Sequence, residues 1–274
     1  MSTLDRPPAK AVRRLRRSVG PQGTLLATGA MGAAVFALLI TASADVYEGV
    51  TNTSGVSGLD RPALDLAVSL RSPQLNSVVT AFTNLGSTIP MIFITVTLTA
   101  VMYVHWRRRS ILIMMLIAAA GSLLFTGVGK SVVGRARPPF ALAVPPYEYA
   151  PSFPSGHTLN ATVITLMLAY LAWWLSEKRW VRVLCPTLAA AWSLAMGLSR
   201  VYLGHHWITD VMFGWLFGLA WLALLITVHR IVLRLDRRDR QIAERGGIPD
   251  QPPEKAIEPE GDRHSSGRHA PESG

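Results

Sequence analysis

Three short stretches of the chain hold the residue types that phosphoryl transfer needs. Residues 130–138 read KSVVGRARP, residues 154–157 read PSGH, and residues 199–210 read SRVYLGHHWITD. They supply Lys130, Arg137 and Arg200 as cations, and Ser155 and Gly156 as donors to an anion. His157, His206 and Asp210 complete them as acid/base groups and nucleophile. Phosphoryl transfer is mostly positioning and charge stabilisation, so several cations around the equatorial oxygens are expected. Arginine grips two phosphate oxygens at once, while lysine acts as a point charge.

His206 and Asp210 are four residues apart where an apolar run begins, so on a helix they share a face. A carboxylate on one imidazole nitrogen fixes the tautomer and makes the other nitrogen a better nucleophile. His206 is therefore expected to attack phosphorus. A carboxylate in the first turn of a membrane helix is expensive and functional by default; taken alone, Asp210 would also serve as a helix cap. In PSGH, Gly156 lets backbone approach an anion at a helix N-terminus, and Ser155 adds a hydroxyl. His157 is placed to protonate the leaving oxygen and later to activate water. A capped loop would explain those four letters alone, and a headgroup contact would explain Lys130 alone. Arg135 reads as a lipid contact, and His205, on another helical face from His206, as non-catalytic. No metal and no cofactor is required: two histidines and an aspartate could ligate zinc, but three converging cations would repel it.

These residues need elements to carry them. The chain has 274 residues, 50% of them hydrophobic, with a mean hydropathy of +0.30, too apolar for an ordinary soluble domain. Six stretches approach the roughly 20 apolar residues that cross a bilayer core: 24–41, 89–104, 111–128, 158–175, 183–198 and 208–228. The expected fold is all-α, a six-transmembrane helix bundle with short interfacial helices at 60–70 and 73–84 and disordered tails. In the second short helix Ser72 is the N-cap and Pro73 takes the first position. Leu75, Val78, Val79 and Phe82 fall on one face. Residues 46–58 and 140–153 read as external loops. The expected parts are a basic cytoplasmic segment at 1–23, the membrane domain at 24–235 and a disordered cytoplasmic tail at 236–274. Arg13–Arg17 before an apolar run and Ala42-Ser43-Ala44 resembles a signal peptide. The run exceeds the usual stretch of about 7–15 residues, so an uncleaved first span is expected. The single cysteine, Cys185, excludes an intrachain disulfide and reads as a small core residue.

The formal charge of +10 could suggest nucleic acid, but its distribution argues for a membrane. Of the 27 Lys and Arg, 21 fall on the side of the two termini. The other side has Arg61, Arg71, Lys130, Arg135, Arg137 and Arg200. The positive-inside rule puts both termini in the cytoplasm, with Trp173, Trp174 and Trp180 at the inner interface. Odd spans then run outward and even spans return. All three motifs lie on the connections between spans three and four and between five and six, which open on the same, extracytoplasmic side. A multi-pass protein of a bacterial inner or plasma membrane is the expectation.

At these residues the chain resembles the type-2 phosphatidic acid phosphatases, the membrane lipid phosphate phosphatases. Lys130 with Arg137-Pro138, then Pro154-Ser155-Gly156-His157, then Ser199-Arg200, His206 and Asp210 match that family's three-part pattern without a departure. The resemblance implies a phosphohistidine intermediate on His206, metal-independent hydrolysis and an outward-facing site. Its implied substrates are a lipid phosphate or diphosphate: an isoprenoid carrier diphosphate, favoured by an outward site, phosphatidylglycerol phosphate or phosphatidic acid. Phosphoryl transfer to another acceptor, or lipid binding or transport with an idle site, are the alternatives. The pocket also resembles that of vanadate-dependent haloperoxidases, against which the six spans argue.

Overall fold

In hydrocarbon a backbone N–H or C=O has no water to bond, so each apolar stretch must satisfy its own backbone as a helix. The computed structural model of the protein describes residues 21–246, with side chains over 23–240. Six long helices are apolar enough to cross a membrane: α1 Pro21–Thr51, α4 Thr88–Trp106, α5 Arg109–Val133, α6 Gly156–Leu175, α7 Arg179–Tyr202 and α8 Ile208–Gly246. Two short helices, α2 Asp60–Ser69 and α3 Pro73–Asn84, follow α1. No strand forms among the described residues. Ser72 caps α3 as expected, its side chain accepting from the Leu75 amide at 3.2 Å.

α6 is the axis of the bundle: 56% of its apolar window is buried, against none for α1. Lipid tails are as apolar as leucine, so membrane helices associate through close backbone approach and interhelical hydrogen bonds. Gly214 and Gly218 of α8 supply the approach: a Cβ on Gly214 would sit 3.1 Å from Thr158 of α6, and one on Gly218 3.2 Å from Thr162. The Thr162 and Ser193 hydroxyls bond at 2.7 Å between α6 and α7, and Trp215 Nε1 donates to the Ser193 carbonyl at 3.0 Å. An intramembrane hydrogen bond of this kind contributes about 0.6 kcal/mol. α5 passes close to the start of α6. A Cβ on Gly129 would sit 2.5 Å from Pro154, and one on Gly156 3.0 Å from Thr126. The Gly156 position is thus fixed by packing as well as by any ligand.

Two boundaries differ from expectation by more than a turn or so. The first span runs on to Thr51 through the expected loop at 46–58, because Ser43, Val46 and Val50 are buried and hold the extra turns. A 3₁₀ turn, Gly55–Leu59, occupies the rest of that loop. The last helix continues past Asp236 to Gly246. The stretch DRRDRQIAER is rich in helix formers and lacks proline. The expected basic segment before residue 21 and the tail beyond residue 246 lie outside the described residues.

Candidate active site

The three motifs meet where the α5–α6 and α7–α8 connections come together. His205 and His206 follow the end of α7, and both backbone amides donate to the Arg200 carbonyl, at 3.0 and 3.2 Å. Asp210, in the first turn of α8, is fully buried. Its Oδ2 accepts from the Trp207 amide at 3.0 Å and from the Ser152 hydroxyl, and lies 3.4 Å from His206 Nδ1. Ser152 Oγ is itself 3.3 Å from that nitrogen.

Arg137 determines the His206 tautomer. Its Nη1 is 3.2 Å from His206 Nε2, and a guanidinium can only donate. Nε2 is therefore the acceptor, and the proton sits on Nδ1, facing Ser152 and Asp210. Burial pushes the His206 imidazole well below its usual value. Arg137, Arg200 and Lys130 push the same way, against the opposing pull of Glu148. The nucleophile candidate is thus neutral, with its lone pair aimed at the arginines.

Those arginines hold an anion of the protein's own. Glu148, from the α5–α6 connection, pairs with Arg137 Nη2 at 2.8 Å and closely with Arg200 Nη2. Burial alone would raise the Glu148 carboxyl; Arg200 and Arg137 outweigh it and hold it at about 2, with His206 and His157 close by. A planar anion bridging two guanidiniums next to a histidine lone pair is the arrangement that binding a phosphoryl group would require.

The remaining predicted residues lie on the same connections and on the helix ends beside them. Arg200 is buried; Nη1 donates to Thr83 Oγ1 at 3.1 Å, and Nε has no protein partner. Lys130, in the last turn of α5, donates its ammonium to the Pro151 carbonyl. Arg137 also ties down the loop through the Ala150 and His205 carbonyls, both at 2.6 Å. His157 lies in the first turn of α6, so close to α3–α4 that a Cβ on Gly86 would be 3.2 Å from its Cδ2. Ser155 is buried at the N-cap of α6. Its amide donates to the Asp210 carbonyl at 3.2 Å and its hydroxyl accepts from Thr158 at 2.9 Å. Gly156 opens the helix beside it. His205 turns aside, its Nε2 2.7 Å from the Val144 carbonyl.

Four residues at the site escaped sequence reasoning. Glu148 and Ser152 sit in an irregular loop with no periodicity to flag them; Asp60 reads as the first residue of a short helix. Arg135, read as a lipid contact, faces inward instead. Its Nη1 is 2.6 Å from Asp210 Oδ1 and 2.8 Å from Thr209 Oγ1, and its Nη2 pairs with Asp60. The doubled arginine of GRARP was the available signal. The two other cations on this side are structural: Arg71 binds the Tyr202 and Leu142 carbonyls, and Arg61 pairs with Asp65 at 2.9 Å.

A neutral histidine backed by a carboxylate and facing paired arginines, on a bundle of membrane helices, is the arrangement that a membrane-embedded phosphate-ester hydrolase needs. Comparison with known proteins gives it a family. The model of the PAP2 superfamily matches residues 110–233. Phosphatidylglycerophosphatase B of Bacillus subtilis is 34% identical over 61% of this chain and 82% of its own length. The protein therefore belongs to the PAP2 superfamily. An undecaprenyl-diphosphatase of Sulfolobus acidocaldarius is 31% identical over 48% of this chain and 62% of its own. The crystal structure of a transmembrane PAP2-type phosphatidylglycerolphosphate phosphatase from Bacillus subtilis superposes with a TM-score of 0.63 at 29% identity, covering 73% of this chain and 96% of that one.

Proposed function

We propose that the protein removes the terminal phosphate of a membrane lipid phosphate or diphosphate, without a metal, through a phosphohistidine on His206. The observation that carries this reading is the Glu148 carboxylate held between Arg137 Nη2 and Arg200, with His206 Nε2 on the other terminal nitrogen, Nη1, of the same Arg137. When a substrate phosphoryl group takes that place, Nε2 attacks phosphorus and the bond to the leaving oxygen breaks. His157 protonates that oxygen. His157 then takes a proton from water as the water attacks the phosphohistidine, releasing inorganic phosphate and free His206. Lys130, Arg137 and Arg200, with Ser155 and the Gly156 backbone, neutralise the equatorial oxygens. The balance is monoester plus water to alcohol plus phosphate for a lipid phosphate, and anhydride plus water to lipid monophosphate plus phosphate for a diphosphate.

A lipid substrate is supported by an apolar cavity of about 170 Å³ between α4, α5 and α6. Gly86 lines its end nearest His157; Met91, Thr95, Ala119 and Ile164 continue it. Ile92 and Val96 on its rim are exposed, so an acyl or prenyl chain could enter from the side. Phosphatidylglycerol phosphate is the first substrate to test, since the relative with that activity in its name matches over the larger share of its length. The isoprenoid carrier diphosphate, favoured from sequence, is the second. The positive-inside count supports cytoplasmic termini and an extracytoplasmic site.

The test is phosphate release from a lipid phosphate and diphosphate panel in detergent, with chelator present. Selective, chelator-resistant release that falls by about 10³-fold or more in His206→Ala is expected. Release that His206→Ala leaves intact would overturn the mechanism. Lipid binding without turnover would favour the idle-site reading.

A further inference from the structure

Arg135 lies within the first motif but does not join the phosphate cradle. Its guanidinium is committed to two carboxylates instead. Nη1 holds Asp210 Oδ1 at 2.6 Å and Nη2 holds Asp60 Oδ2. Thr209 closes the network: its amide donates to Asp60 Oδ1 at 3.1 Å, its hydroxyl donates to the same oxygen at 2.8 Å and accepts from Arg135. The Trp207 ring covers the guanidinium, 5.6 Å from its carbon. Asp60 and Thr209 are buried and Arg135 is only 17% exposed. An uncompensated buried charge is strongly destabilising, so three such groups stay together only with their pairing complete.

Through this network Arg135 bears directly on one oxygen of Asp210 and indirectly on the other, which the Trp207 amide also holds. Oδ1 is held by its side chain. Oδ2 is occupied by Ser152, whose amide donates to the Arg135 carbonyl at 2.8 Å. A carboxylate gripped on both sides cannot rotate away from the imidazole it orients.

We propose that Arg135 and Asp60 are positioning residues for phosphoryl transfer: an Asp60–Arg135–Asp210 relay holds the Asp210 carboxylate against Nδ1 of His206. The relay anchors to the first residue of α2, so this interfacial helix is part of the catalytic frame. The proposal rests on the reading of His206 as nucleophile and Asp210 as its orienting acid.

The experiment compares kcat and KM, in detergent and on the best lipid of the panel, for the full-length wild type and five variants. They are Arg135→Met, Arg135→Lys, Asp60→Asn, Asp210→Asn and the double variant Arg135→Met/Asp210→Asn. Misplacing a catalytic group can cost on the order of 100-fold, and a drop of that size in kcat is expected for Arg135→Met. KM should stay within about threefold, since Arg135 does not face the phosphoryl group. Arg135→Lys should recover part of the rate. The double variant should be no slower than Asp210→Asn alone, because both changes remove one function. A raised KM at unchanged kcat would make Arg135 a phosphate ligand and overturn the relay. So would a double variant in which the two losses multiply. If Arg135→Met does not fold, Asp60→Asn and Arg135→Lys carry the test: both should lower kcat at constant KM, and wild-type kcat in both overturns it. Wild-type activity in Asp210→Asn would sink the underlying reading and the relay with it. Impaired Asp210→Asn beside fully active Arg135 variants would sink the relay alone.

Discussion

The proposed mechanism turns on a single proton on His206, and its neighbours put that proton on Nδ1. Arg137 can only donate, so Nε2 keeps the lone pair that the proposed mechanism directs at phosphorus. Burial, with Arg137 and Arg200 behind it, keeps the ring neutral well below its ordinary titration range. The sign follows directly: lowering pH should not protonate the nucleophile near pH 6.5, and the acid limb of kcat/KM should lie well below that value. Removing a nearby cation favours the charged ring, so Arg137→Gln should move the limb upward. Comparing both pH profiles on one substrate cancels the substrate's own titration. A wild-type limb near 6.5 that Arg137→Gln leaves in place would contradict this. His206 and Asp210 were legible from spacing, because a four-residue offset on a helix leaves little freedom. Ser152 was not, since its place beside Asp210 depends on a loop folding back over α8. Asp60 was less legible still: nothing local to residue 60 announces a partner at residue 135.

Two kinds of element carry the site, and they were unequally readable. Helices α3 to α7 emerged close to their expected bounds, because apolar runs bounded by Ser72, by Arg107–Arg109 and by PSGH leave little choice. α1 and α8 outran their apolar runs, where buried Val46 and Val50 and a charged helix-forming stretch continued the turns. The α5–α6 connection, by contrast, is organised by its contacts with Arg137, Arg135 and Leu203, none of them local pattern. It places Glu148 on Arg137 and Arg200, where the proposed function has the carboxylate compete with substrate phosphate. Glu148→Gln keeps the size and removes the charge. Its KM should fall by about threefold or more, and inorganic phosphate should inhibit it more strongly, as expected when a competing bound state is removed. A KM that rises would instead make Glu148 a group that helps to hold substrate.

Over the whole molecule, alternating spans bring the α5–α6 and α7–α8 connections to one end of the bundle, and that rule was available from counting alone. It predicts that motifs separated by some 70 residues of sequence converge, as Arg137 and His206 do at 3.2 Å. What counting could not supply was the small-residue packing of α8 on α6 that fixes their spacing, or the cavity beside His157. Under the proposed function, the apolar cavity takes the lipid chain and the neighbouring arginines its phosphate. The central claim is the covalent step, and it can be observed directly. Protein mixed with a lipid phosphate labelled in its terminal phosphorus should be quenched in alkali within a turnover and digested. Label on the peptide containing His206, stable to alkali, labile to acid and missing in His206→Ala, is the predicted result. Turnover with no protein-bound label, or label that persists in His206→Ala, would contradict the account.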